Sequence, residues 1–361
     1  MKRMQDTPDS KALLDTMKKS LETAQKLDNA MLQLWEASKK PAEKGDPQAM
    51  YVVGKGYADG YEGQKRNWQK AILWYKKAAS KGHLLSMREL GDIYTYGSGV
   101  PESHPEGKKW YEVPASKGDV PSMMGLAYLL RYGTHIPQNL PGAEQLLLKA
   151  ANTGDPEAMH TLADAYRFGL SFPKSSEKAV LWFDRLANRP MKLTDEKKYQ
   201  QWAWRTLGVM LARGEGTVKP GPARAVVWLK KAADPVLQDG YAEYVLASLY
   251  TTGRGVPQDD KEATTLMYRA ANHAWPDAMS DWGAWLINGR AGYRSPREAA
   301  EWFKKAADKN HTTACYNLGI LYETGLGVDK NVDEAKQWYE KAAKYGHQKA
   351  KDAVARLTTE P

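Results

Sequence analysis

"NLGILYETGLGVDKNVDEAKQWYEKAAKYGH", residues 317–347, places small residues inside two amphipathic patterns where free-standing helices favour larger ones. Gly319 sits within the first pattern, Gly325 and Gly327 close it, and Ala335, Ala342 and Ala343 punctuate the second. A glycine inside a helix costs about 1 kcal/mol relative to alanine, so an isolated helix has no reason to carry one. The rest of the chain supplies the reason. With Gly319 as position zero, the matching residues are Gly54, Gly91, Ala127, Ala163, Gly208, Ala247 and Gly283, at separations of 37, 36, 36, 45, 39, 36 and 36. Six residues past each zero stands a glycine, from Gly60 to Gly325, and five before each stands a small residue, from Ala49 to Ala314. Self-similarity at a fixed period of this kind is the signature of a solenoid.

The second half of each unit repeats as well. Ala71, Gly107, Ala143, Ala179, Ala225, Ala263, Ala299 and Ala335 form one column, followed by bulky pairs such as Trp74-Tyr75 and Trp338-Tyr339 and then by a small pair. Four residues before that column stand Asn67, Ser103, Asn139, Ser175, Gly221, Asp259, Ser295 and Asn331, all residues that helix N-caps favour. The glycine six past zero fits a helix C-cap with left-handed backbone. Each unit therefore reads as helix A, a glycine-bearing loop, helix B and a short turn. Small columns let helices approach closely, the Trp and Tyr columns fill the gaps, and only a stack buries the apolar faces. The excess between Ala163 and Gly208 is expected near "MKLTDEKKY", 191–199, as a long turn or an extended helix end.

"ELGDIYTYGSGV" (89–100), "LASLYTTGRGV" (246–256) and "NLGILYETGLGV" resemble the Sel1-like repeat family, relatives of the tetratricopeptide repeats. The resemblance spans about 45–347 in eight units, with departures at Pro114 and at "LLRYGTHIP", 129–137, which lacks the usual loop. It implies an all-α, right-handed superhelical solenoid whose members bind other proteins, often in bacteria. Residues 1–44 read as an N-terminal helical cap, one broken helix or two, and 348–361 as a capping helix A with a polar outer face.

Composition narrows the function classes. The net charge of +9 is spread over Lys-rich helix B faces such as "WYKKAASK", which argues for solvated surface and against nucleic acid. No apolar run approaches the roughly 18 residues that span a membrane. The start, "MKRMQDTPDSKALLDTMKK", has no hydrophobic segment of the secretory kind; the sequence as given reads as cytoplasmic, and as periplasmic if a signal was removed. Cys315 stands alone in a column otherwise rich in methionine and reads as a buried thiol. Four of the seven histidines, His83, His273, His311 and His347, recur at the turn closing helix B, which points to packing or capping. No metal, phosphate-loop or nucleophile motif is present, so we expect no enzyme and no cofactor.

Three helix A positions vary freely: three before zero, one after and four after. They share one face, and in related helical-hairpin solenoids helix A lines the concave groove. By that resemblance the groove presents Tyr51, Arg88, Asp92, Met124, Tyr128, Arg131, His160, Asp164, Arg167, Arg205, Tyr244 and Tyr316. Ala58 falls on the same varying face and is expected to tolerate leucine, whereas Ala158, in the small column, is expected to be overpacked by it. The arginines on successive layers favour an acidic partner surface, and Arg131→Ala with Arg167→Ala is expected to abolish binding without altering unfolding. The expected function is a protein-interaction scaffold. One form is an immunity protein neutralising a secreted antibacterial toxin; another is an adaptor in a signalling or envelope complex. A hydrolase, as in cysteine-rich relatives, lacks its cysteines here, and a membrane-surface binder would rest on the positive charge alone.

Overall fold

In a computed structural model, residues 8–61, 65–190, 197–216 and 219–359 are described, and every regular element among them is an α-helix, eighteen in all. The chain divides into two compact units, residues 1–158 and 159–361. In the first, α1 (Pro8–Glu43) precedes the hairpins α2 (Pro47–Asp59) with α3 (Trp68–Ala79), α4 (Leu84–Tyr96) with α5 (His104–Ser116), and α6 (Val120–Tyr132) with α7 (Leu140–Asn152). The division falls within α8 (Pro156–Phe168), which forms the fourth hairpin with α9 (Ser176–Asn188). The second unit continues with α10 (Lys197–Arg213) and α11 (Pro222–Ala232), α12 (Gly240–Thr252) and α13 (Asp260–Asn272), α14 (Pro276–Asn288) and α15 (Pro296–Asp308), and α16 (Thr312–Thr324) and α17 (Val332–Lys344). It ends with α18 (Gln348–Thr359).

Capping repeats as strictly as packing. Except in α10, where Gln200 lies inside the helix, the residue eight before each zero precedes the first residue of helix A. Asp46, Asp119, Asp155 and Asp239 accept the amide protons of Ala49, Ser122, Ala158 and Ala242, at 2.8 to 3.0 Å. At three units histidine takes over: Nδ1 of His83, His311 and His347 accepts from Ser86, Ala314 and Ala350, each at 3.2 Å. That bond requires an unprotonated Nδ1, and burial pushes the His83 pKa down in keeping with it. His273 departs from the pattern and pairs with Glu243. All eight expected helix B caps stand at their helix starts, five of them with a side-chain bond to the third amide.

The position-zero glycines answer the propensity question. A Cβ at Gly91 would lie 2.5 Å from the Tyr111 ring, and one at Gly319 would lie 2.5 Å from Tyr339. Both rings come from the same unit's helix B and are among the most deeply buried side chains. Gly91→Ala should therefore overpack the unit. Overpacking costs about 1–3 kcal/mol, partly offset by about 1 kcal/mol of helix propensity. The net expectation is a urea midpoint lowered by the equivalent of up to about 2 kcal/mol. Adding Tyr111→Leu, which copies Ala127 and Leu147 of the next unit, should cost less than the two single changes together.

Three expectations need correction. Helix α1 is one continuous helix: Pro41 lies in its last turn, where it deprives the Ala37 carbonyl of its ladder bond but leaves too little helix beyond it to break. Trp35 of α1 is buried against α2 and donates to the Val53 carbonyl at 3.1 Å. Gly133 has extended backbone (φ −62°), unlike the other seven glycines of its column, which are left-handed. Ala58 is buried beside Ala71 and Tyr75, so leucine would overpack it just as at the fully buried Ala158. Part of the long spacing is helix: α10 has 17 residues against 13 for most helices A. Residues 191–196, where the remainder falls, lie outside the described residues.

Candidate partner-binding site

The residue three before zero is not a free groove residue. In four units it reaches the N-cap residue of the following helix A. Arg88 meets Asp119 and Arg205 meets Asp239, each at 3.4 Å. The Tyr51 ring lies 5.1 Å from His83, and Tyr316 stacks on His347 at 4.5 Å. Tyr51 and Tyr244 also send their hydroxyls to the next helix A, to Glu89 (3.4 Å) and Asp281 (2.9 Å). This column is a seam that ties consecutive repeats, and Met124 is half-buried within it.

The other two columns are mixed. Asp92 accepts a hydrogen bond from the buried Tyr111 hydroxyl, and burial raises its pKa. Tyr128 is exposed, its ring 5.6 Å from Tyr132. Arg131 is buried, with its guanidinium 4.7 Å over the Tyr132 ring. Arg167 is held by both oxygens of Glu215, at 3.0 and 2.8 Å. Removing Arg131 and Arg167 would thus strip packing and a bidentate ion pair, so unfolding would not stay unchanged as expected.

In the second unit the face opens into a cavity of about 480 Å³ formed by α8, α10, α12 and the start of α14. Asp164 and Arg167 enter from α8, and Arg205 from α10. Phe168, Trp202, Tyr241 and Trp275 supply its rings. Tyr241 stacks on Trp275 at 4.5 Å. Trp202 is pinned by His160, 4.1 Å away, and by Phe183 at 4.9 Å. Oδ2 of Asp164 lies 3.7 Å from His160 Nε2, while its Oδ1 is shut off from solvent without a hydrogen-bond partner. Burial pushes the Asp164 pKa up to about 6 against the opposing pull of Arg167, and it pushes His160 down.

Trp202 and Tyr241 stand six before their zeros, one turn ahead of the seam column. Extending the variable stripe by that turn would have found them. The Arg–Asp and Tyr–His seam pairs, recurring 31 to 34 residues apart, were also visible in the sequence. Among the described residues, no group of three or more His, Cys, Asp or Glu is placed to hold a metal ion, and no helix is long and apolar enough to cross a membrane.

A family model described as Sel1 repeat matches residues 47–83, 84–119, 120–155, 156–190, 207–234, 240–274, 276–311 and 312–347. The chain belongs to the Sel1 repeat family. These repeats serve as protein-interaction scaffolds. A Sel1 repeat protein from Oxalobacter formigenes is similar over 91% of this chain and 93% of its own, at 26% identity and a TM-score of 0.73. The protective antigen c5321 of uropathogenic Escherichia coli, which displays an SLR fold, matches 90% of this chain and 67% of its own, at 28% identity and a TM-score of 0.74. Among curated proteins, the ERAD-associated E3 ubiquitin-protein ligase component HRD3A of Arabidopsis thaliana is 45% identical over 58 residues, 16% of this chain. That match spans 9% of the relative's length.

Proposed function

We propose that this Sel1 repeat protein is a non-enzymatic scaffold that holds a partner protein on the helix A face of residues 159–361, around the cavity of α8, α10 and α12. The observation that carries this reading is the cavity itself, where three successive helices A gather aromatic rings and charged side chains that interfaces favour. Two forms fit: an immunity protein masking a secreted antibacterial toxin, and an adaptor in a signalling or envelope complex. An acidic partner surface loses its original support, because Arg88, Arg167 and Arg205 are already neutralised by Asp119, Glu215 and Asp239, and Arg131 is buried.

Phe168 is 55% exposed at the cavity rim, so its truncation leaves the core intact. If it is a hot spot worth about 2 kcal/mol, Phe168→Ser should weaken capture of the native partner roughly thirtyfold. The control is Lys76→Ala with Lys77→Ala on helix B. Equal weakening by control and variant, or undiminished capture by Phe168→Ser, would move the binding face elsewhere.

A further inference from the structure

Two of the turns that lead from helix B to helix A break the repeat. From the helix B alanine column to the next zero the chain runs 20 residues in every other unit, but 29 from Ala179 to Gly208 and 22 from Ala225 to Ala247. In a repeat protein such insertions fall in loops on one face, which is often the binding face. The first insertion adds a turn, Lys197 to Gln200, to the start of α10, ahead of the point at which the other helices A begin. The second lengthens the turn from α11 to α12. Both line one open groove of about 460 Å³, built from Lys197 and Trp204 of α10, Lys231 of α11, and Asp234, Val236 and Leu237 of the lengthened turn.

That turn is pinned. Asp234 Oδ1 accepts from the Val236 amide and the Asp234 carbonyl accepts from the Leu237 amide, each at 2.9 Å, with Pro235 fixing the backbone between them. Val236 is held outward and is 86% exposed, more than any other large apolar side chain among the described residues. Trp204 is fixed as well, its indole N–H donating to the Ala187 carbonyl at 3.0 Å. The charges are one-sided. Lys197 and Lys231 are exposed, and among the described residues neither has a carboxylate within ion-pair distance. Asp234 already holds the turn. The Lys231 ammonium lies 4.7 Å from the Trp228 ring and 5.7 Å from that of Trp204. Resting on ring faces leaves its three N–H donors open to an acceptor. An occupant that matches this groove brings an apolar side chain and a negative charge together, whereas a cation would meet both lysines.

We propose that this groove is a second docking point for the partner protein, receiving an acidic segment. A large apolar side chain of the segment packs on Trp204, Val236 and Leu237, and a neighbouring carboxylate pairs with Lys197 and Lys231. The proposal rests on the preceding reading only for the existence of a protein partner. It places the partner's acidic charge at the edge made by the insertions and not on the helix A arginines.

The test needs no partner in hand. The full chain, labelled with ¹⁵N at its tryptophan indoles, is titrated with the dipeptide Nα-acetyl-Leu-Glu amide. The Leu-Gln, Leu-Lys and Gly-Glu analogues serve as neutral, cationic and side-chain-free probes, and a Trp204→Phe variant assigns the reporting signal. Leu-Glu should shift that signal saturably in the millimolar range. Lys197→Gln with Lys231→Gln should raise its dissociation constant roughly tenfold or more, and Val236→Ser roughly threefold or more. These side chains are exposed, so their replacement leaves the core intact. Lys304→Gln with Lys305→Gln removes two charges from α15, where Lys305 lies over Trp302 as Lys231 does over Trp228 but the turn has its ordinary length; it should leave binding unchanged. No saturable response to Leu-Glu overturns the proposal. So does Leu-Gln or Gly-Glu binding as tightly, Leu-Lys binding in preference, or equal weakening by the two lysine pairs. If Leu-Glu fails while Phe168→Ser still loses the native partner, the helix A binding face stands and only this groove is wrong. If Leu-Glu binds as expected while Phe168→Ser keeps the partner, the groove stands and the helix A face is what fails.

Discussion

Arg269→Ala should destabilise the second unit by about 3 kcal/mol or more, whereas Glu243→Met at the same contact should cost about 1 kcal/mol or less. Glu243 is fully buried in α12, in the column that is methionine in most other units. Arg269 lies against its Oε1, with a guanidinium N–H directed at the Ala233 carbonyl (2.7 Å), and His273 Nδ1 lies 2.6 Å from Oε2. Burying an ionised carboxylate carries a desolvation penalty of several kcal/mol, which its cations offset only while they stay in place. Arg269 and His273 are 26% and 21% exposed, so they reach water when the carboxylate is gone. The carboxylate cannot do the same when Arg269 is gone. The asymmetry is the measurement: urea midpoints of the two single variants, and of the double variant, which should recover most of what Arg269→Ala loses. Equal losses from both single changes would show that the triad is a net source of stability and not a costly substitution within a methionine column.

The same contact shows what the sequence made legible. Repeat period, helix order, the N-cap columns and the close-packed zeros all follow from residue types at fixed spacing, because one unit's packing problem is solved eight times. The site was harder. Arg88, Arg205, Tyr51 and Tyr316 vary as interface residues do, yet each variation is matched by a partner in the next unit, His83 for Tyr51 and Asp119 for Arg88. A column read alone cannot distinguish variation that meets a partner protein from variation that meets the next repeat. Only pairs of columns can, and one sequence with eight units offers few pairs. Asp164, Arg167 and Arg205 were read as sharing one face, and all three line the cavity, but the rings of Trp202, Tyr241 and Trp275 that close it lay outside that stripe. Ala58 failed for a plainer reason: a short side chain four residues past zero is covered within the cluster of Ala71 and Tyr75, whereas Arg167 at the same position is long enough to reach the cavity.

Asp164→Asn should stabilise the protein at pH 7.5 and should do far less at pH 4. Burial holds the folded-state pKa of Asp164 near 6, above its ordinary value of 3.8. A carboxyl raised in this way binds its proton more tightly in the folded chain than in the unfolded one. Its contribution is therefore most favourable below about pH 4, falls as pH rises toward 6, and stays at its lowest level beyond. At 1.36 kcal/mol per pH step the full penalty is about 3 kcal/mol, and about 1–3 kcal/mol once the 22% exposure of the side chain is allowed for. His160, whose pKa is lowered, contributes in the opposite sense, becoming more favourable as pH rises through the ordinary histidine value of 6.5. Its Nε2 lies 3.7 Å from Asp164 Oδ2, so the two titrations are coupled, and the comparison is made also in a His160→Gln background, where the effect of Asp164→Asn isolates the carboxyl. Thermal unfolding at pH 4, 5, 6 and 7.5 should give a gain for the variant that grows across this window and then levels. A gain independent of pH would mean that the asparagine simply packs better, and a loss at pH 7.5 would mean that the ionised carboxylate is stabilised by its surroundings. A residue retained at a cost to the fold is a mark of function when its removal strengthens the protein.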